Sequence, residues 1–131
     1  MPSHQTLIEQ LKAILSLQQD LELAILIGSR AQQSANQNSD WDIAIRWKKH
    51  ISAINALSLT STLQIAIAQC LNVPPEAIDL IDMTTARLAM RATIVEEGIP
   101  LAGEDSLAWS YFLTQTWAEL EEHYWRAQHA A

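Results

Sequence analysis

An α/β (α+β) fold, a small mixed β-sheet flanked by helices and followed by a long C-terminal helix, is what this 131-residue sequence predicts. Three observations carry the prediction. Short apolar runs of strand length, at Leu23–Ile27, Ile43–Ile45 and within AIDLIDM (77–83), alternate with longer segments of helical periodicity. Turn and stop residues fall between them: Gly28-Ser29, Lys48-Lys49-His50, Asn72 with Pro74-Pro75, and Gly98. The apolar share, 49%, suits one core and one domain over 1–131, with a centre at about 20–103 and a C-terminal helix at about 105–129.

Taken in order, Leu7, Ile8, Leu11, Ile14 and Leu15 place an amphipathic helix over 4–17. Leu23 to Ile27 is too short for a helix and apolar on both faces, so it reads as a buried central strand. Ser29 begins a predicted short helix to Ala35, and the polar stretch 32–39 reads as an exposed loop. The second strand, 40–47, alternates: Asp40, Asp42, Ala44 and Arg46 share one face, while Trp41, Ile43, Ile45 and Trp47 share the other and should pack in the core. A helix over 51–71 follows, with Ile54, Leu57, Ile65 and Ala68 among its buried candidates, stopped by Asn72 and the prolines. A third strand spans 78–83. Thr84 to Glu97 is a predicted helix closed by Gly98 as its C′ residue. Pro100 marks 99–102 as an edge strand. Asp105 or Ser106 caps the last helix, whose expected stripe is Trp109, Leu113, Trp117, Leu120 and Tyr124.

Composition narrows the function. The net charge of −7 argues against a protein that coats nucleic acid, and no DNA-binding motif is present. It leaves room for a nucleotide substrate carried by a metal, and for a basic protein partner. No apolar run approaches the ~18–20 residues that span a bilayer, and the N-terminus lacks the basic-then-apolar pattern of a secretory signal. The single cysteine, Cys70, fits a reducing cytoplasm and reads as a packed side chain.

The chemistry concentrates between Leu21 and Trp47. Asp40 and Asp42 at i and i+2 of a strand stand side by side, where two like charges call for a cation between them, a hard divalent one given oxygen ligands. Gly28-Ser29 ends the preceding strand at a turn whose amides suit phosphate oxygens. A third acid comes from the next strand, at Asp79 or Asp82; these face opposite ways, so only one can join the pair. Asp79 lies inside the strand, and Asp82 precedes Met83-Thr84-Thr85, where it could cap a helix. Three carboxylates around one or two metal ions is the arrangement of phosphoryl and nucleotidyl transfer.

Gly28-Ser29, ten residues, then Asp40-x-Asp42 resembles the GSx10DxD signature of the minimal nucleotidyltransferase (MNT) family of the polymerase-beta-like superfamily. The flanking Arg30-Ala31 and Ser39, the DLxD strand and Glu97-Gly98 agree with it, over roughly residues 20–103. The resemblance implies a polymerase-beta-like nucleotidyltransferase fold, ATP as substrate and Mg²⁺ as cofactor. It implies Asp40, Asp42 and Asp79 as metal ligands and catalytic groups, and Gly28, Ser29, Arg30 and Ser39 around the nucleotide. It also implies a partner and a biology: an antitoxin that silences a HEPN ribonuclease toxin by moving AMP onto one of its tyrosines. An antitoxin acting mainly by direct binding of the toxin, with transfer activity secondary or absent, is the alternative. Small-molecule transfer is disfavoured, because 131 residues leave no space for the acceptor domain such enzymes usually add. Arg46 is expected to pair with a carboxylate rather than with substrate. Residues 104–131 carry five acids (Glu104, Asp105, Glu119, Glu121, Glu122) against Arg126, together with Trp109, Trp117 and Trp125. That mixture suits a basic partner, although Trp109 and Trp117 are expected to cover the sheet.

Overall fold

A computed structural model describes residues 2–32, 34–36 and 38–130 of the chain. Four strands form one mixed sheet in the order β3-β2-β1-β4. They are β1 (Leu21–Ile27), β2 (Trp41–Trp47), β3 (Ile78–Asp82) and β4 (Ile99–Ala102). β1 pairs antiparallel with β2 and with β4, and β2 pairs parallel with β3. The parallel pair needs a crossover, supplied by α2 (Ala53–Leu71). The central position of β1 explains its two-faced apolarity: Leu23, Ala24, Ile25 and Leu26 are fully buried. β4 lies at the edge, where Pro100 leaves no interior ladder bond unmade.

Both faces of the sheet are covered. α1 (His4–Ser16) and α2 pack on one, joining Ile8, Leu11, Leu15, Leu63, Ile67 and Leu71 to Trp41, Ile43 and Ile45. α3 (Leu88–Glu97) and α4 (Leu107–His129) cover the other, where Ile94, Trp109 and Phe112 meet Leu23, Ile25, Ile27 and Ala44. Side-chain caps start three helices: Ser3, Ser52 and Ser106 accept from the amides of Thr6, Asn55 and Trp109. Asn72, at φ 56°, ends α2 in the left-handed conformation before the prolines.

Several expectations give way. The segment after Ser29 is a single turn, held by Ala31 and Gln32 amides on the Gly28 carbonyl and Ser34 on Ser29, not a helix to Ala35. Gln33 and Gln37 lie outside the described residues. The helix expected from Thr84 begins at Leu88. Thr84 donates its amide and its hydroxyl to Asp82 Oδ1, at 2.9 and 2.7 Å, a local tie that holds the chain in a turn. Gly98 ends α3 with extended backbone (φ −73°) rather than as a left-handed C′ residue. Its smallness is required by packing, since a Cβ there would lie 2.4 Å from Ile25 Cγ2.

The helix faces also differ. Ala68 is buried as expected, but Ile54, Leu57 and Ile65 are exposed, and α2 packs through Leu63, Ile67, Ala68 and Leu71 instead. α2 carries no charged residue and is long and apolar enough, by length and composition alone, to cross a membrane, although polar residues interrupt it and leave no long unbroken apolar run. Here it packs on α1 and β3. α4 turns Trp109, Phe112, Thr116 and Leu120 inward. Trp117 and Tyr124 are 42% and 55% exposed, so Trp117 does not cover the sheet.

Candidate active site

The parallel register of β2 and β3 sets Asp42 directly across from Asp79, and the antiparallel register sets Ile27 on the other side of Asp42. One row on the α3/α4 face therefore reads Ile27, Asp42, Asp79. The next row, Ile25, Ala44 and Ile81, is roofed by Ile94, Trp109 and Phe112. The two carboxylates of the first row lie beyond that roof, Asp42 half-buried and Asp79 exposed, while Ile27 is buried beneath it. Asp40 precedes β2 and is exposed. Asp82 pairs in register with Ile45, on the opposite parity, and its carboxylate is engaged by Thr84. Of the two acids left open by the sequence, Asp79 is the one brought beside Asp42.

Gly28 ends β1 against this row. It has φ +74°, and a Cβ built on it would stand 2.6 Å from Asp42 Oδ2. Both the backbone conformation and the carboxylate demand glycine. The Asp42 carboxyl is held above its ordinary value, first by burial and then by the neighbouring charges of Asp79 and Asp40. Three acids thus repel one another at the mouth of the sheet, within electrostatic reach.

Among the described residues, no three His, Cys, Asp or Glu side chains stand close enough together to hold a metal ion as they are oriented. The donor set nonetheless fits a hard divalent cation: all oxygen, on two adjacent strands and the residue that leads into one of them, with two of the three side chains exposed. The close approach that Gly28 permits forms one wall of that cradle.

Arg30 braces the site. Its Nη2 and Nε donate to the Ser39 carbonyl at 2.8 and 3.3 Å, and its guanidinium lies 4.5 Å from the centre of the Trp41 ring. His4 of α1 stacks on the same ring, centroids 6.2 Å apart. The turn after Gly28 is thereby tied to the approach to Asp40. Ser39 Oγ accepts from the Asn36 amide at 3.0 Å, closing the loop. No sequence signal links His4 or Arg30 to Trp41; the contacts arise from the fold. Arg46 pairs with Glu22, Nη2 to Oε1 at 2.6 Å, at the far end of β2. Neither of two cavities is lined by Asp40, Asp42 or Asp79. One of 660 Å³ sits at the C-terminal end of β2, lined by Arg46, Lys48, Lys49 and Leu57. The other, of 700 Å³, is lined by His4, Leu7, Arg30 and Trp41.

Comparison with solved structures places this architecture. The chain is similar to a toxin–antitoxin complex solved with AMP-PNP, at 25% identity and TM-score 0.64, over 91% of this chain and 90% of that one. It is similar to a tri-AMPylated Shewanella oneidensis HEPN toxin in complex with MNT antitoxin, at 21% identity and TM-score 0.61, over 96% and 92%. It is also similar to the toxin–antitoxin MntA–HepT, at 22% identity and TM-score 0.59, over 92% and 90%. At identities below 25% the likeness is one of fold. No curated protein sequence matches the chain significantly. The model of the "Polymerase beta, Nucleotidyltransferase" family matches residues 9–107, well over half of the chain, and the chain belongs to that family.

Proposed function

We propose that the chain is the MNT antitoxin of a HEPN/MNT pair: a metal-dependent protein adenylyltransferase that moves AMP from ATP to a tyrosine of the HEPN toxin. The observation that carries the reading is the row of Asp42 and Asp79, with Asp40 before it, set against the Gly28 turn of a nucleotidyltransferase fold. The similar complexes, one solved with AMP-PNP and one with an AMPylated toxin, support it.

Gly28 admits the triphosphate close to the backbone, and Ser29 offers its hydroxyl to the β- and γ-phosphates. Arg30 and Ser39 contribute to the nucleotide site by holding the loop between the phosphate turn and Asp40 in shape. Asp40, Asp42 and Asp79 would hold Mg²⁺, which when bound polarises the phosphoryl oxygens and offsets the acidic charge. Asp79, exposed beside Asp42, accepts the proton of the attacking tyrosine hydroxyl. The tyrosine oxygen bonds to the α-phosphorus, the bond to the bridging oxygen breaks, and pyrophosphate leaves. Positioning and charge supply most of the catalysis.

The test is transfer of label from α-labelled ATP with Mg²⁺ to the HEPN protein encoded beside this chain. Label on the toxin with wild type and none with Asp40→Ala/Asp42→Ala is the expected result; equal label with both defeats the site assignment. The exposed aromatic surface of α4 favours a second reading, silencing by binding alone. On that reading Asp40→Asn/Asp42→Asn still rescues cells from the toxin, and loss of rescue by a folded variant defeats it.

A further inference from the structure

The transfer site leaves the outer side of α4 without a task. Leu107, Tyr111, Trp117, Tyr124 and Trp125 are 73%, 68%, 42%, 55% and 59% exposed. At 3.6 residues per turn, Leu107 and Trp125 lie on one line with Tyr111 beside it. Trp117 and Tyr124, seven residues apart, form a second line. Both lie outside the buried stripe of Trp109, Phe112, Thr116 and Leu120. Every residue from Glu121 to Ala130 is exposed, and the side-chain contacts there are made within the helix itself, Trp125 stacking on His129 and Arg126 pairing with Glu122. A helical end of this length draws little stability from local bonds, and the four exposed aromatic side chains along α4, two of them on this end, mark a contact surface.

Charge selects the occupant. Glu119 is taken by Arg91, and Glu122 by Arg126. Glu121 falls between the two aromatic lines and makes no ion pair among the described residues. We propose that this face of α4 docks a second protein, one that presents an apolar groove with a Lys or Arg placed opposite Glu121. A second copy of the chain would set acidic helix against acidic helix. Anionic lipid and nucleic-acid phosphate meet the same repulsion. Tyr and Trp are the anchors such a groove takes up best.

The proposed function supplies only the identity of the probe, the HEPN protein. Binding of that protein by the full chain is measured by calorimetry, with circular dichroism confirming that each variant is folded. Tyr124→Ser/Trp125→Ser is expected to raise Kd about tenfold or more. Glu121→Lys is expected to raise it about fivefold and to reduce its salt dependence. Glu22→Ala, in β1 and outside both the transfer site and the aromatic lines of α4, is expected to bind as wild type. The proposal is overturned if wild type does not bind the probe, or if both α4 variants keep Kd within about twofold of wild type. It is also overturned if the chain alone sediments as a dimer that Tyr124→Ser/Trp125→Ser abolishes. Binding that depends on α4 without any AMP transfer by wild type defeats the catalytic reading and leaves the docking face standing. Normal transfer with α4-independent binding does the reverse.

Discussion

On one face of the sheet, Trp41, Ile43 and Ile45 of β2 are sealed under α1 and α2; on the other, Ala44 is roofed by α3 and α4 while Asp42, two residues earlier, lies beyond the roof. One strand therefore serves a closed face and an open one. The difference comes from the helices. α1 and α2 bring Leu11, Leu15, Leu63 and Ile67 over the rows that hold Trp41, whereas Ile94, Trp109 and Phe112 cover Ala44 and Ile27 and leave Asp42 half-buried and Asp79 exposed. The closed face holds the fold, and the open one is available for chemistry.

Substitutions on the two faces should separate stability from activity. The largest effect belongs to the closed face: Trp41→Ala removes a 1%-exposed side chain that also anchors Arg30 and His4, and should cost about 3–5 kcal/mol in urea unfolding. On the open face, Asp42→Asn should lower the proposed AMP transfer by on the order of 10²–10³-fold at saturating substrate while the chain stays folded. Gly28→Ala touches both properties. Its left-handed backbone costs about 1–2 kcal/mol with a Cβ, and the added methyl displaces Asp42, so melting temperature and transfer should fall together.

A smaller effect carries a sign. Asp42 is raised above its ordinary value, so the folded state binds this proton more tightly than the unfolded chain does. The penalty is absent below the unfolded value of 3.8 and is imposed as pH rises through the folded one. Asp42→Asn should therefore raise the melting temperature at pH 7, with the gain fading on acidification; a gain that grows toward low pH contradicts the sign. Added Mg²⁺ should stabilise wild type and not Asp40→Asn/Asp42→Asn. The smallest change is expected at Glu22→Ala, which frees Arg46 at the sheet's far end and should cost about 0.2–1 kcal/mol, less at high salt.

The elements with marked ends were legible in the sequence. β1, β2 and β4, the stop at Asn72 and the Ser106 cap all follow from local composition. The Asp face of β2 follows from alternation, and so does the opposition of Asp79 and Asp82. The phase of α2 was not legible. Ile54, Leu57 and Ile65 are as apolar as Leu63 and Ile67, and no charge marks the outer side, so only packing chose between them. α4 misled for the opposite reason: aromatic residues lie all around it, and Thr116, fully buried, was on no apolar stripe. The turn that replaced the start of α3 was hidden because Thr84 bonds Asp82 instead of continuing the helix.

By itself the sequence determined the strand carrying Asp42, with Asp40 just before it, the Gly28-Ser29 turn that precedes both and the family to which they point, because period-two alternation and a ten-residue spacing are local properties of the chain. Tertiary structure decided the rest. It placed Asp79 across from Asp42, since a parallel register is fixed only when two distant strands pair. It also decided which rows the helices cover, and so left one row of carboxylates beyond the roof and one aromatic helix face without a neighbour.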